Sequence, residues 1–250
     1  MKTTTDFISP ATLRRREAVA FLIESAKTVE TPPIIKYSAL SLFSDRFFPS
    51  ITPSSSQNHH WLLQNPLNYS TLQLFSLISL WISSKIHGSP PLPLKTLKSI
   101  GDDRIKDQHY TKTDYLDAEI VFLQCVNFGV GTVKNSVFVM VEELLVRFKE
   151  VARVAEMVSF EACLDVMDLA YECEAVSRFY VEKPVCLVAA VVAVAFVVTV
   201  PKQKCEFPLL AWVRFVTGCA EEDVVCVVRV ILEHIVETNR VSCGNGSCLG

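Results

Sequence analysis

Residues 185–200, VCLVAAVVAVAFVVTV, run sixteen positions without a charge, and residues 72–86, LQLFSLISLWISSKI, meet their first charge only at Lys85. The valines of the first stretch would favour a strand on propensity alone. Sixteen continuous apolar residues without turn punctuation exceed ordinary strand length, so the stretch predicts a helix. It falls short of the roughly 20 residues needed to cross about 30 Å of hydrocarbon. Lys183-Pro184 and Pro201-Lys202 clip it at both ends, and much of it is small Ala, Cys or Thr. These features predict a helix buried on all sides by other helices, which needs a shell of partners. The second stretch makes the same demand in the first half of the chain, so two bundles are expected.

Working outward, amphipathic spacing predicts helices over Leu13–Lys27, with Thr12 as a cap, and over Ile34–Phe47, with Thr31-Pro32-Pro33 as the break. The stretch 48–68 is rich in Pro, Ser, Asn and His and predicts a long exposed loop. The apolar helix Ser70–Ile86 stops at Gly88-Ser89-Pro90-Pro91. A short helix over Leu94–Ile100 and a longer one over Thr111–Val126 follow. Thr111 or Thr113 is its expected cap, acidic residues come early, and Asn127-Phe128-Gly129 is its expected glycine stop. After Gly131 the order repeats with Val137–Phe148, Ser159–Glu174, Glu182–Val200, Leu209–Phe215 and Glu221–Thr238. Each half has its all-apolar helix third of five, an internal repeat of architecture with hardly any repeat of residues. The expected domains are 1–130 and 131–238, with 239–250 as a disordered tail.

The 250 residues are 50% hydrophobic and 20% charged, which excludes a disordered chain, and the net charge of −3 gives no overall pull toward nucleic acid or anionic lipid. Nine cysteines, an odd number, include no CxxC pair, so neither a disulfide framework nor a zinc site is expected. The first twenty residues lack the apolar core of a secretory signal. No phosphate loop, nucleophile elbow, HExxH or paired-carboxylate signature is present, so nothing supports an enzyme or a cofactor. His59-His60 beside Trp61 reads more simply as polar loop than as a metal site. Asn68-Tyr69-Ser70 and Asn245-Gly246-Ser247 match a glycosylation sequon by chance in a chain with no secretory route. Ser9-Pro10, Thr31-Pro32, Thr52-Pro53 and Ser89-Pro90 are candidate proline-directed phosphosites, Thr52 being the most exposed by loop composition.

Two charges stand where apolar helices have no structural need of them: Lys85 at the end of the first all-apolar helix, and Glu119 in the middle of YTKTDYLDAEIVFLQCVNFGV. Their surroundings resemble the cyclin family. Ser44-Asp45-Arg46-Phe47-Phe48 resembles its D-R-F-L, and Leu80 to Lys85 its L-x-A-S-K. Tyr110 to Leu116 with Glu119 resembles Y-T-x-x-x-[IVL]-x-x-M-E, and Phe128 stands for the Phe that closes the box. The four motifs fall in order over Arg14–Val130. The second half is similar mainly in architecture, and the small size is most like the plant J-type cyclins.

The resemblance implies an all-α protein of two consecutive five-helix cyclin-box bundles, the second divergent. It implies a non-catalytic regulatory subunit that binds and activates a cyclin-dependent protein kinase in cell-cycle control, acting in the nucleus or cytoplasm. No nucleic acid, membrane, small-molecule ligand, cofactor or metal is implied. Lys85 and Glu119 would hold backbone and polar groups of the kinase, with Ile82, Ile86, Phe128 and Val130 as apolar contacts. Phe21, Glu24, Leu72 and Gln73 match the substrate-docking groove. The early M-R-A-I-L, however, is replaced by Leu13 to Val19, whose Arg and Glu would oppose an apolar R-x-L ligand. Two other classes fit the same residues: a cyclin-fold scaffold or transcription-linked interaction protein without kinase activation, and a small membrane protein anchored by 185–200.

Overall fold

Each of the two apolar stretches is the axis of a helical bundle in the computed structural model, which describes residues 10–51, 60–63, 68–131, 137–204 and 206–244, with side chains from 12 to 236. Among the described residues there is no strand. The chain divides into two compact units between Val133 and Lys134; the sequence places the boundary after Val130.

The first unit contains α1 (Pro10–Thr28), α2 (Pro33–Leu40), α3 (Tyr69–His87), α4 (Leu94–Arg104) and α5 (Lys112–Cys125). Helix α3 touches all four others and is buried from Ser70 to Ser84. Three of its serines make that burial tolerable, because their hydroxyls bond within the helix. Ser76 donates to the carbonyl of Gln73 at 2.8 Å, Ser79 to that of Ser76 at 2.7 Å, and Ser84 to that of Trp81 at 2.7 Å. Asn68 caps the helix, its Oδ1 accepting from the Thr71 N–H at 2.7 Å.

The second unit contains α6 (Val137–Val151), α7 (Phe160–Glu172), α8 (Pro184–Thr199), α9 (Leu209–Thr217) and α10 (Glu221–Gly244). Helix α8 touches the other four and is buried from Cys186 to Phe196, then emerges with Val197 and Val198 exposed. Sixteen residues at about 1.5 Å rise span about 24 Å. No helix among the described residues is long and apolar enough to cross a membrane.

Several local expectations need correction. The single helix expected over Ile34–Phe47 changes at Ser41 into a π-helical stretch, Ser41–Phe47. The wider turn brings Leu42, Phe43, Ser44 and Phe47 inward together, where a 3.6-residue period would rotate some of them out. Helix α1 starts at Pro10, so Thr12 lies inside its first turn rather than capping it. The helix expected from Glu182 breaks at Lys183, because Pro184 brings no N–H and takes the first helical position of α8. Helix α10 continues to Gly244, through residues assigned from sequence to the tail; nothing before Gly244 breaks it. The 48–68 stretch opens with a helical turn, Phe48–Ser50, and contains Leu62 buried in a 3₁₀ turn, Trp61–Leu63. Residues 52–59, 64–67 and 245–250, with the Thr52 and Ser9 phosphosites, His59 and the second sequon, lie outside the described residues.

Candidate functional site: the Lys85–Glu119 face

The end of α3 is pinned before Lys85 is placed. The Trp81 indole N–H donates to the Leu92 carbonyl at 3.1 Å, and the Leu92 N–H donates to the Ser84 hydroxyl at 3.1 Å, so the Pro-rich segment folds back over the last turn. Gly88 permits the reversal: a Cβ there would lie 2.6 Å from the Ser84 carbonyl oxygen. Helix α5 is set by a capping box. The Thr111 hydroxyl accepts from the Asp114 N–H at 3.3 Å, and the Asp114 carboxylate accepts from the Thr111 N–H at 2.6 Å. Of the two threonines the sequence offers, Thr111 is therefore the cap.

These two ends bring Lys85 and Glu119 together across 34 positions of chain, with Nζ donating to Oε1 at 2.6 Å. Lys85 also stands 3.5 Å over the Trp81 ring. The pair lies at the surface, and an ion pair of this kind contributes only about 0–1 kcal/mol. Exchanging it for another polar partner is thus inexpensive. Ile86, next to Lys85 in the chain, is 40% exposed, and Phe128, in the turn that follows α5, 64%. Val130 is half-buried.

The turn that presents Phe128 is unusual. Asn127 and Phe128 both have left-handed φ, 52° and 55°, and Gly129, the expected stop, does not. The Phe128 N–H donates to the Leu123 carbonyl at 2.7 Å, and the Arg46 guanidinium donates to the Gly129 carbonyl. The strain of a left-handed phenylalanine is thus held from two sides.

The other expected residues are placed differently. Ile82 is 4% exposed and belongs to the core, because it faces inward one turn before the helix end. Phe21, Leu72 and Gln73 are also buried, since α1 packs on α3 there; only Glu24 is exposed, paired with Lys27 at 3.2 Å. Two exposed residues had not been singled out, Leu116 and Ile120, at 47% and 54%. They share a face of α5 with Glu119, away from buried Tyr115, Ala118 and Phe122. Their signal was present, as apolar residues off the buried period.

Asp45 lies behind the turn, bonded to the Ser41 hydroxyl and flanked by Arg15 and Arg46. Burial pushes its carboxyl up to about 7, against those three influences. A raised folded pKa adds stability that is complete below the unfolded value near 4 and is lost as pH rises through 7. Relative to an Asp45→Asn variant, the wild-type protein is therefore expected to lose about 2–3 kcal/mol between pH 5 and 7.5. Thermal melts of both proteins across that range check it; parallel curves would refute it.

Among the described residues no group of three or more His, Cys, Asp or Glu side chains gathers to hold a metal. No protein-family model matches the chain. Among solved structures, a viral cyclin from herpesvirus saimiri shares the fold, with a TM-score of 0.67 at 14% identity, covering 90% of this chain and 86% of that one. The two bundles thus have a cyclin fold. Cyclin-J18 of Arabidopsis thaliana is 48% identical over 227 residues, covering 90% of this chain and 96% of the relative. Cyclin-J18-like of Oryza sativa subsp. japonica is 38% identical over 240 residues, covering 93% and 91%. The chain belongs to the cyclin family, in the J type that these plant relatives represent.

Proposed function

We propose that the protein is the non-catalytic regulatory subunit of a cyclin-dependent protein kinase, binding and activating it in cell-cycle control in the nucleus or cytoplasm. The observation that carries this reading is the Lys85–Glu119 pair, at 2.6 Å, with Ile86, Leu116, Ile120 and Phe128 exposed close to it in the chain. The apolar side chains supply area to bury, and the weakly bound charges supply the register. When the kinase docks, the two charges exchange each other for its backbone and polar groups. Ile82 supports this face from beneath rather than touching the partner, and the buried set Phe21, Leu72 and Gln73 gives no support to R-x-L substrate docking.

The test is a pull-down and activity assay against a panel of cyclin-dependent kinases, comparing wild type with Lys85→Ala/Glu119→Ala. Binding and activation of one kinase are expected, with the double variant at least about tenfold weaker, or about 1.4 kcal/mol. Its helical circular dichroism should be unchanged, because a surface pair is removed. Binding that ignores the double variant, or binding without activation, would favour the scaffold reading instead.

A further inference from the structure

In the second unit, Cys186 and Cys219 bring their Sγ atoms to 3.2 Å although they stand 33 positions apart. Cys186 lies in the first turn of α8 and is 7% exposed; Cys219 is half-buried and reached by solvent. The approach is built from the backbone. Gly218 ends α9 with a φ of 73°, a left-handed turn that suits glycine, and the Cys219 N–H donates to the Thr217 hydroxyl at 3.2 Å. Across the same junction Lys183 and Asp223 form an ion pair at 3.2 Å, tying the residue before α8 to the first turn of α10. Both thiols are free.

We infer that Cys186 and Cys219 form an oxidisable pair that closes into a reversible disulfide, clamping the end of α9 to the start of α8. A disulfide has an S–S distance of about 2.0 Å, so the sulfurs must approach by about 1.2 Å, within reach of side-chain rotation. With hydrogen peroxide as oxidant, the sulfur of the more accessible Cys219 thiol attacks one peroxide oxygen. The O–O bond breaks, the leaving hydroxide takes the thiol's proton as water, and Cys219 becomes a sulfenic acid. The Cys186 sulfur then attacks the Cys219 sulfur; the S–O bond breaks, and the departing hydroxide takes the Cys186 proton as a second water. Two thiols and one peroxide give one disulfide and two waters.

The two sulfurs suit different roles. Burial, the contact with Cys219 and the nearby Asp223 carboxylate push the Cys186 thiol up to about 11, with the Lys183 ammonium opposing, so it is a poor first nucleophile. Cys163, elsewhere in the unit, is buried and pushed up to about 12. The bond would act on a cavity of about 190 Å³ beside the pair. Leu144 and Arg147 of α6, Val185 and Val188 of α8, and Val216 and Thr217 of α9 line it. Fixing α9 to α8 fixes two of its walls.

The test uses the full chain, reduced, then exposed to stoichiometric hydrogen peroxide, blocked with iodoacetamide and digested for mass spectrometry. A cross-linked peptide joining Cys186 to Cys219, about 2 Da lighter than the two thiol peptides, is expected, reversed by dithiothreitol. The oxidised protein should melt about 5 °C or more above the reduced one. Cys186→Ala and Cys219→Ala, first shown to keep wild-type circular dichroism when reduced, should each abolish both the peptide and the shift. Sulfinic acid at Cys219 without the cross-link, a bond from either residue to another cysteine, or the same shift in Cys219→Ala would overturn the inference.

Discussion

Phe47→Ala is expected to lower the stability of the first unit by about 3–5 kcal/mol, the usual cost of truncating a phenylalanine in a packed core. Phe47 is fully buried, stacked on Phe122 at 4.6 Å with planes 8° apart, and 4.5 Å from the Phe75 ring. It thereby joins the π-helical stretch to α3 and α5, the helices that carry Lys85 and Glu119. Removing the ring leaves a cavity whose walls belong to three elements and cannot collapse by moving only one. Urea denaturation followed by far-ultraviolet circular dichroism measures the loss, with Phe47→Leu as a milder comparison, expected at about 1 kcal/mol. A loss below about 1 kcal/mol for Phe47→Ala would show that this aromatic cluster does not hold the unit together.

Gly101→Ala is expected to destabilise the same unit by about 2 kcal/mol, although alanine in place of a helical glycine usually stabilises by about 1 kcal/mol. A Cβ at position 101 would lie 2.0 Å from the Tyr115 hydroxyl oxygen and 3.3 Å from its Cζ. Tyr115 is 1% exposed, and its hydroxyl donates to the Leu97 carbonyl at 3.4 Å, so the ring cannot swing into solvent. One of α4 and α5 must shift. Adding Tyr115→Phe removes the nearer clashing atom and should recover more than half of the loss, a non-additivity that a double-mutant cycle in urea reads directly. Additive losses would place the strain elsewhere.

The two sites of largest effect differ in how they could be read. Phe47 sits in the Asp45-Arg46-Phe47 motif, so its importance was visible in the sequence even though the π-helical turn that buries it was not. Gly101 carried no signal, because its constraint is set by a tyrosine hydroxyl on another helix. Similarly, Lys85 and Glu119 were singled out as charges that the apolar pattern did not need, but their pairing with each other was not foreseen. Ile82 was expected among the apolar kinase contacts and is 4% exposed. Asn127-Phe128-Gly129 was rightly placed at a helix end, but the left-handed residues are Asn127 and Phe128.

By itself the sequence determined the all-helical class, the two apolar axes at 70–86 and 185–200, most helix ends and the motifs shared with cyclins. Those are properties of single elements, carried by a 3.6-residue period, by caps and by glycine and proline punctuation. The tertiary structure alone decided which side of α5 stays open around Glu119, whether Ile82 or Ile86 reaches the surface, and that Cys186 meets Cys219. Each of these depends on the angle and depth at which one helix packs on another, and that is set by the sum of many side-chain contacts between segments distant in the chain.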